Sequence, residues 1–397
     1  MSIQNPVFIP GPTNIPESLR KACDMPTIDH RSSLFAEILP PVLAGVKRVL
    51  KTETGEAIIF PGSGTGGWEA ALSNTLSPGD KVLAADFGMF SRKWIDMCRR
   101  HGLEVQVVEA PWGAALPVGE FAAILAADTE HQIRAVLGTH NETATGVRSD
   151  IGGLRAAMDA AGHPALLFVD GVSSIASMDF RMDDWGVDVA ITGSQKGFML
   201  PAGLAVVGVS RKAIAAMETA RLPRFYFDFR DMLAMNPASG YPYTPVVGLL
   251  NGLKAAIAMI EAEGLDAVFA RHHHIAEGVR EAVRAWGLPF CATAPESYSD
   301  TVTAIVMPEG IDGNAFVAHA EKRYGVSYGA GLGAVAGKVF RIGHLGQLTE
   351  TQALAGIATA EMAMADLGIG IAPGSGVAAA QLFYRSSPVL AQRVAAE

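Results

Sequence analysis

The stretch VDVAITGSQKGFMLPAGLAVVGV, residues 187–209, consists of two short apolar runs on either side of a polar loop. The runs Val187–Thr192 and Leu204–Val209 are aliphatic and rich in β-branched residues, which is typical of buried strands. Lys196 stands in the loop between them, among Ser, Gln and Gly. The pattern predicts a sheet in which a lysine follows the carboxyl end of a strand, where open α/β sheets bind their ligands.

Three further apolar runs come earlier in the chain, at Val82–Ala85, Ile133–Thr139 and Ala165–Asp170. Helical patterns lie between the runs, for example at Phe90–His101 and Ser149–Ala161. Strands that alternate with helices need crossover connections, which produce a mainly parallel sheet with helices on both faces. The predicted fold class is therefore α/β.

The flanking segments predict two more parts of the chain. The first forty residues are rich in Pro and Gly and predict an extended arm with one short helix near Glu17–Cys23. A change of composition near Pro245 begins a long helical segment that reaches Trp286, and strand-like runs follow at Thr301–Met307 and Lys338–Gly343. We expect an N-terminal arm at residues 1–40, a large domain at 41–265 and a smaller α+β domain at 266–397.

The composition narrows the class of protein. With 397 residues, 49% of them hydrophobic, the chain can bury a large core. Its net charge of −9 argues against nucleic acid or an anionic membrane as the main partner. The three cysteines match no metal motif, and consecutive histidines at His272–His274 cannot share one metal on a helix. Because the chain also lacks a signal peptide and a bilayer-length apolar run, we expect a cytoplasmic protein without a metal site.

Three short motifs carry chemistry. The Gly64–Gly66 turn precedes a helical run that begins near Trp68, and the N–H groups at a helix start can bind phosphate. Asp170 ends one predicted strand, and Lys196 follows the next. Each motif has a structural alternative: a tight turn, a turn-capping carboxylate, or a lysine whose charge reaches solvent. Together they suit pyridoxal 5′-phosphate (PLP), which needs a phosphate site, an acid for its pyridine nitrogen and an amine for its aldehyde.

Eight motifs spread over nearly the whole chain occur together. They are FIPGPTNIP (8–16), DHRS (29–32), SGTGGWEAALSNTLSPGDKVL (63–83), HNETATGV (140–147), FVDGVSS (168–174), GSQKGFMLPAGL (193–204), YPYTP (241–245) and KVFRIGHLG (338–346). In this combination they resemble the class V aminotransferases, which have the fold-type I architecture of PLP enzymes. The resemblance is to the serine–glyoxylate and alanine–glyoxylate branch, and the chain is also similar to aspartate–glyoxylate aminotransferases.

The resemblance implies roles for residues around the cofactor ring. Lys196 would carry PLP as a Schiff base, and Asp170 would bind the pyridine nitrogen. Phe90 stands where the family places an aromatic ring stacked on the cofactor, although many members have Trp there. Thr143 would bind on the side of the ring hydroxyl.

The resemblance also implies residues for the phosphate and the substrate. Tyr241 and Thr244 would reach the phosphate of a neighbouring subunit, which implies a homodimer or a higher homo-oligomer with shared sites. Arg341 would bind the substrate α-carboxylate, for which a bidentate guanidinium is suited. The residues implied to hold the phosphate within one subunit are Gly64, Thr65, Gly66 and Gln195.

The implied activity is ping-pong transfer of an amino group from L-serine or L-aspartate to glyoxylate. The products would be glycine and either hydroxypyruvate or oxaloacetate. The short segment Glu218–Asp228 favours aspartate, because serine-type relatives have a longer loop there. Arg31 or Arg224 could meet the second carboxylate of that donor.

Several alternatives stay open at this stage. They are an alanine–glyoxylate aminotransferase, a non-catalytic protein on the same fold, a nucleotide-binding protein and a cysteine desulfurase. A nucleotide site is disfavoured because the glycine-rich turn lacks the GK[ST] ending of a P-loop. Desulfuration needs a cysteine on a mobile loop, and Cys291 lies in GLPFCATAP, which predicts a strand.

Overall fold

The computed structural model describes residues 6–386. Residues 1–5 of the predicted arm and 387–397 of the predicted small domain lie outside this range. The strands are β1 (Glu56–Gly62), β2 (Lys81–Asp86), β3 (Glu104–Glu109), β4 (Ile133–Thr139), β5 (Asn141–Glu142), β6 (Val147–Arg148), β7 (Leu166–Asp170), β8 (Val189–Gly193), β9 (Gly203–Val209), β10 (Val302–Val306), β11 (Gly329–Ala330) and β12 (Val339–Gly343).

The helices surround these strands in chain order. They are α1 (Glu17–Cys23), α2 (Ser33–Ala36), α3 (Leu39–Leu50), α4 (Gly64–Thr75), α5 (Met89–Arg100), α6 (Val118–Ala127), α7 (Ile151–Ala160), α8 (Arg211–Ala216), α9 (Phe229–Met235), α10 (Val247–Glu263), α11 (Leu265–Trp286), α12 (Gly313–Tyr324), α13 (Glu350–Asp366) and α14 (Ser375–Ser386).

The main sheet has seven strands in the order β1-β9-β8-β7-β4-β2-β3. The pairs β8–β7, β7–β4, β4–β2 and β2–β3 are parallel, whereas β9 runs antiparallel to both of its neighbours. The predicted α/β class with a mainly parallel, helix-flanked sheet is therefore confirmed. Because every strand except β9 points the same way, the carboxyl ends of β1, β2, β4, β7 and β8 meet at one edge.

Two predicted details are wrong. The helix expected to begin near Trp68 begins at Gly64, because the extended backbone of Ser63 already starts the turn that Gly67 N–H closes on the Ser63 carbonyl. The predicted arm with one short helix also contains α2 and the first residues of α3. There Leu39 is buried and belongs to the core that covers β1.

The apolar side chains form two large separate cores. One surrounds the seven-stranded sheet, and the other lies between α11 to α14 and the antiparallel sheet β10-β12-β11. Phe8 of the arm is buried in the second core. We infer from the two cores a division of the chain at Gly264, which separates α10 from α11, next to the expected boundary at 265. No helix within residues 6–386 combines the length and the apolarity that a bilayer crossing requires.

Candidate active site

The loop that carries Lys196 joins β8 to the reversed strand β9. Ser194 shapes this loop, because its hydroxyl donates to the Pro201 carbonyl at 2.7 Å and accepts from the Leu204 N–H at 3.1 Å. The Met199 N–H donates to the Lys196 carbonyl at 2.9 Å, which closes a turn around the lysine. The loop therefore holds Lys196 at the edge where the parallel strands end.

The N-terminal arm crosses this loop. The Lys196 amine donates to the carbonyl of Pro10, and the Thr13 N–H donates to the Gln195 carbonyl at 3.2 Å. Gly11 has a φ of +105°, and a β-carbon on it would lie 2.5 Å from the Lys196 Nζ. Only glycine leaves room for the lysine there, since an added methyl group would overlap the amine.

The surroundings of Lys196 favour a neutral amine. Burial and, to a smaller extent, the positive charge of Arg341 lower the pKa of Lys196 to about 8, although the charge of Asp170 opposes both effects. The ordinary pKa of a lysine is near 10.4, at which almost no neutral amine exists at neutral pH. A lysine amine with this lowered pKa can act as a nucleophile or as a proton carrier.

Asp170 ends β7, and its side chain is buried. The Val172 N–H donates to Oδ1 at 2.9 Å. Burial raises the pKa of Asp170 to about 7, and the nearby charge of Glu142 adds to this rise. Within residues 6–386 no cationic side chain lies at ion-pair distance from Asp170. A buried carboxylate without a cation is costly, so this group is suited to receive a cationic ligand atom.

The start of α4 forms an anion cradle with Gln195. The Ser63 side chain makes no capping hydrogen bond, so the N–H groups of the first helical turn, residues 64–66, keep no helical acceptor. The Oε1 atom of Gln195 is buried without a partner. A β-carbon on Gly193 would lie 2.8 Å from this Oε1 and 3.4 Å from the Gly64 nitrogen, which places the Gln195 amide beside the helix start.

Phe90 and Thr143 lie on two segments that contact each other through Glu142. Phe90 is partly buried in the first turn of α5, and its N–H donates to Glu142 Oε2 at 3.0 Å. Thr143 is buried, and its hydroxyl shares a hydrogen bond with the Ser173 hydroxyl at 2.7 Å. The structure thereby connects HNETATGV to FVDGVSS, the motif that contains Asp170.

Arg341 reaches this cluster from the small domain, where it lies in the middle of β12 and is 6% exposed. Its Nε donates to the Ala330 carbonyl and its Nη1 to the Thr143 carbonyl, both at 3.0 Å. In the part of the chain that the structure describes, no carboxylate lies within ion-pair distance of its guanidinium. Burial lowers the pKa of Arg341 to about 10, and Glu142 opposes this. A buried guanidinium bound only to carbonyls is suited to an anionic ligand.

The two residues expected to serve a neighbouring subunit differ in placement. Tyr241 is buried, and its hydroxyl donates to the Ile59 carbonyl of its own chain at 2.5 Å. The expected contact of Tyr241 with a partner's phosphate therefore disagrees with its position, because the core around β1 encloses the ring. Thr244 is exposed, and its reach toward a second subunit stays a prediction.

Two further expectations need correction. Arg224 donates through Nη1 to the carbonyls of Ser73 and Leu222, and its Nε lies 3.3 Å from Asp228. Its own chain therefore already binds part of this guanidinium, and nothing in the structure brings it to a second substrate carboxylate. Arg31 is exposed, and nothing in the structure brings it to the cluster.

Cys291 does not lie in a strand; the segment around it makes only an isolated bridge from Phe290 to Ile305. Burial raises the pKa of Cys291 to about 11, which keeps the thiol protonated. In residues 6–386 no three or more His, Cys, Asp or Glu side chains come together as metal ligands.

Sequence reasoning missed two contributors to the cluster, Glu142 and the Pro10–Gly11 pair. Both lie inside motifs that carried the family resemblance, HNETATGV and FIPGPTNIP. A buried Glu next to Thr143 was a visible signal, because Glu is rarely buried without a specific partner. The role of a backbone carbonyl such as that of Pro10 has no signal in sequence.

Comparisons with known proteins agree with this geometry. Residues 22–343 match the family model of class-V aminotransferases. The chain is 66% identical over 396 residues to the L-aspartate–glyoxylate aminotransferase of Paracoccus denitrificans, and the alignment covers 100% of both chains. It is 52% identical to the serine–glyoxylate aminotransferase of Hyphomicrobium methylovorum, over 97% of this chain and 95% of that one.

Among solved structures, the pyridoxamine–pyruvate aminotransferase of Mesorhizobium loti superposes with a TM-score of 0.90 at 29% identity, over 97% of this chain and 99% of that one. The expected fold-type I architecture is thereby confirmed. With a family match over most of its length, and relatives of high identity over nearly all of it, this chain belongs to the class-V aminotransferases.

Proposed function

We propose that this protein is a PLP-dependent aminotransferase that transfers the amino group of an L-amino acid, L-aspartate or L-serine, to glyoxylate. The observation that carries the proposal is the buried guanidinium of Arg341, which has no carboxylate at ion-pair distance among residues 6–386 and whose charge lowers the pKa of the Lys196 amine. This pair offers an anion site and a base next to one another. An α-amino acid requires both.

The residues present fit PLP. The N–H groups at the start of α4 suit its phosphate, and the Gln195 amide beside them could add its NH2 group as a donor. The Asp170 carboxylate, which has no cation at ion-pair distance among residues 6–386, suits its pyridinium. Phe90 and Thr143 would bound the ring. When bound, PLP supplies the aldehyde that takes the amino group and the electron sink that makes the donor Cα–H acidic. Lys196 would hold the cofactor until a substrate amine replaces it.

The chain's own residues then perform three tasks. Arg341 holds the substrate α-carboxylate and thereby orients the Cα–H bond, since a bidentate pair fixes both direction and distance. The Lys196 Nζ, once free, would accept the proton from the donor Cα and deliver it to the cofactor carbon that carried the aldehyde, so that the amino group stays behind when the 2-oxo acid leaves. Asp170 would keep the pyridine nitrogen protonated, because this buried carboxylate has no cation at ion-pair distance among residues 6–386.

The amino acceptor fits the same frame. Glyoxylate carries one carboxylate and no side chain, so Arg341 alone can orient it. The donor would leave as its 2-oxo acid, oxaloacetate from aspartate or hydroxypyruvate from serine, before glyoxylate takes up the amino group and leaves as glycine. Both half-reactions use one site, which predicts ping-pong kinetics.

Aspartate is the donor that the relatives favour, because the aspartate–glyoxylate enzyme is 66% identical and the serine–glyoxylate enzyme of Hyphomicrobium 52% identical to this chain. An alanine–glyoxylate activity is the second candidate, and the Drosophila melanogaster enzyme of that name is 32% identical. A non-catalytic role is disfavoured because Lys196, Asp170 and Arg341 are all present in one cluster.

The proposal includes a cytoplasmic homodimer. Phe225 is 78% exposed, and its ring contacts that of Tyr243, which stacks on Tyr226. A β-carbon on Gly66 would lie 3.0 Å from the Phe227 ring, so this exposed aromatic group borders the anion cradle. Exposed aromatic clusters are typical of subunit interfaces. A second copy on this face would bring its Thr244 near the cradle.

The test is an absorption titration of the purified protein, loaded with PLP, with L-aspartate and L-serine separately and without any keto acid. The proposal expects the better donor to bleach the long-wavelength cofactor band and glyoxylate to restore it. Lys196→Ala is the matched control, since it keeps the pocket but lacks the amine. No band in the wild-type protein after PLP addition, or a band that no amino donor changes, would refute the proposal.

A further inference from the structure

Glu142 is a fully buried carboxylate that none of the steps above uses. Its Oε2 accepts the N–H groups of Phe90 and Ser91, each at 3.0 Å, and its Oε1 accepts the N–H of Ala144 at 3.1 Å. No lysine or arginine of the described residues lies within ion-pair distance of it. Three backbone donors thus take the place of a counter-ion for this charge.

One of these contacts supplies a missing helix cap. α5 begins after Gly88, which has no side chain to receive the free N–H groups of the first turn. Glu142 provides that acceptor from another segment, and its negative charge favours the helix N-terminus. A β-carbon on Gly88 would lie 2.2 Å from the Glu142 Cγ, so the glycine is the opening through which the carboxylate reaches the helix.

The other side of the same turn holds Arg341. The residue after Glu142 is Thr143, whose carbonyl accepts from the Arg341 Nη1 at 3.0 Å. The charge of Glu142 also stabilises the guanidinium of Arg341. The turn from Glu142 to Ala144 therefore binds the backbone of Phe90, whose ring is expected over the cofactor, and the guanidinium of Arg341, which is expected to bind the substrate.

We propose that Glu142 is a positioning residue of this site, which sets Phe90 and Arg341 in register by anchoring both to one turn. Because both of its oxygens accept N–H groups, only a carboxylate satisfies all three donors. An amide would turn an NH2 group against a backbone N–H and release either the start of α5 or the Ala144 turn. The inference rests on the proposed function for the identity of the cofactor and of the substrate.

The test compares Glu142→Gln with Glu361→Gln. Glu361 is a matched control, because it is also buried and accepts the N–H groups of Gly374 and Gly376 at the start of α14, but it lies in the small-domain core. Both variants are expected to lower the melting temperature of the apoprotein. Only Glu142→Gln is expected to weaken PLP binding about tenfold, as measured by the quenching of protein fluorescence. Only this variant is also expected to raise the KM of the amino donor about tenfold. It should also diminish the circular dichroism of the bound cofactor, which reports how rigidly the ring is held.

Gly88→Ala gives a second route to the same result. The added methyl group displaces the carboxylate while keeping its charge, and the φ of −178° at Gly88 accepts alanine without strain. Gly119→Ala, where nothing lies within 4 Å, is its control. If Glu142→Gln does not fold, Gly88→Ala carries the same comparison.

Equal PLP affinity, equal circular dichroism and equal donor KM in wild type and in the folded variants would overturn the role of Glu142. A wild-type protein that binds PLP but transfers no amino group would instead refute the proposed function. In that case the affinity and circular dichroism readouts still decide whether Glu142 anchors the cofactor side of the site.

Discussion

The amine of Lys196 donates a hydrogen bond to the carbonyl oxygen of Pro10, 186 positions earlier in the chain. Pro10 belongs to an arm that lies between the two cores. On one side the Phe8 carbonyl accepts the Gly343 N–H at 2.7 Å, and on the other the Thr13 N–H binds the Lys196 loop. The arm is therefore part of the site, and we expect it to hold the lysine amine whenever a substrate has displaced that amine from the cofactor.

Gly11→Ala should impair the lysine specifically. The new methyl group would overlap the Lys196 side chain, whereas in Gly79→Ala, at a φ of +83°, it would meet nothing within 4 Å. Both variants place alanine in the left-handed region, at a cost of about 1–2 kcal/mol of stability. We expect the rate of PLP binding to the apoprotein to fall about tenfold or more in Gly11→Ala and to stay unchanged in Gly79→Ala. A steric cost of about 1.4 kcal/mol in the barrier is enough for a tenfold effect. Equal PLP binding rates in the two variants would contradict this.

Replacing Arg341 by Met should cost substrate binding more than stability. No carboxylate of the described chain lies at ion-pair distance from the guanidinium, so its removal breaks no ion pair and takes from Glu142 only a more distant opposite charge. Loss of a buried charge-assisted contact to a ligand costs about 2–5 kcal/mol. Steady-state assays should show kcat/KM for the donor and for glyoxylate reduced by roughly 30-fold or more. An unchanged KM for both would exclude Arg341 from carboxylate binding.

The capture of PLP by the apoprotein should depend on pH through Lys196. Its pKa is lowered to about 8, so the reactive neutral amine increases as the pH rises toward 8 and levels off above it. Because the charge of Arg341 contributes to this lowering, Arg341→Met should raise the pKa and move the profile to higher pH. Stopped-flow absorption at several pH values measures both. An unchanged pH profile in the variant would show that the charge of Arg341 does not influence the pKa of Lys196.

Asp170→Asn should separate stability from activity. Asp170 is buried with its pKa raised to about 7, so near pH 7.5 the apoprotein holds a charge without a cation. Its neutral replacement should keep or raise the melting temperature of the apoprotein while turnover falls about 100-fold or more, because the pyridine nitrogen loses its acid. Asp188→Asn is the control, since that buried carboxylate accepts the Leu167 N–H and the Ser210 hydroxyl. It should lose stability instead.

Variants of Tyr241 and Thr244 should show which of the two residues stabilises its own subunit and which one serves the site of a neighbouring subunit. Tyr241→Phe loses the hydrogen bond to Ile59, so we expect about 1 kcal/mol less stability and unchanged PLP affinity. Thr244→Val on the exposed side should weaken PLP binding without changing the melting temperature. A loss of PLP affinity in Tyr241→Phe would show that its ring leaves the core when two subunits meet.

The linear order of residues was sufficient to predict five strands of the seven-stranded sheet, but not β1 or β3, and to nominate half of the candidate site. Alternating apolar runs and helical patterns specify strands and crossovers locally, and parallel strands must end at one edge. Asp170 ends a strand and Lys196 comes shortly after the next one, so their meeting was expected from the parallel sheet. The Gly64–Gly66 turn joins them because β1, which was not predicted, ends at the same side of the sheet. The observed start of α4 differs from the predicted one because the backbone geometry at Ser63, and not the spacing of apolar residues, begins the helix.

The other half depends on contacts between distant segments. Arg341 meets Thr143 across 198 positions, Pro10 meets Lys196 across the two cores, and Tyr241 turns inward onto Ile59. Such contacts form only when separately built elements dock, and local periodicity contains no information about which surfaces meet. The sequence by itself therefore determined the fold class and nominated the residues that we propose for the cofactor. The docking of the arm and the small domain decided which groups surround the lysine, because burial and hydrogen bonding across those surfaces exist only in the folded chain.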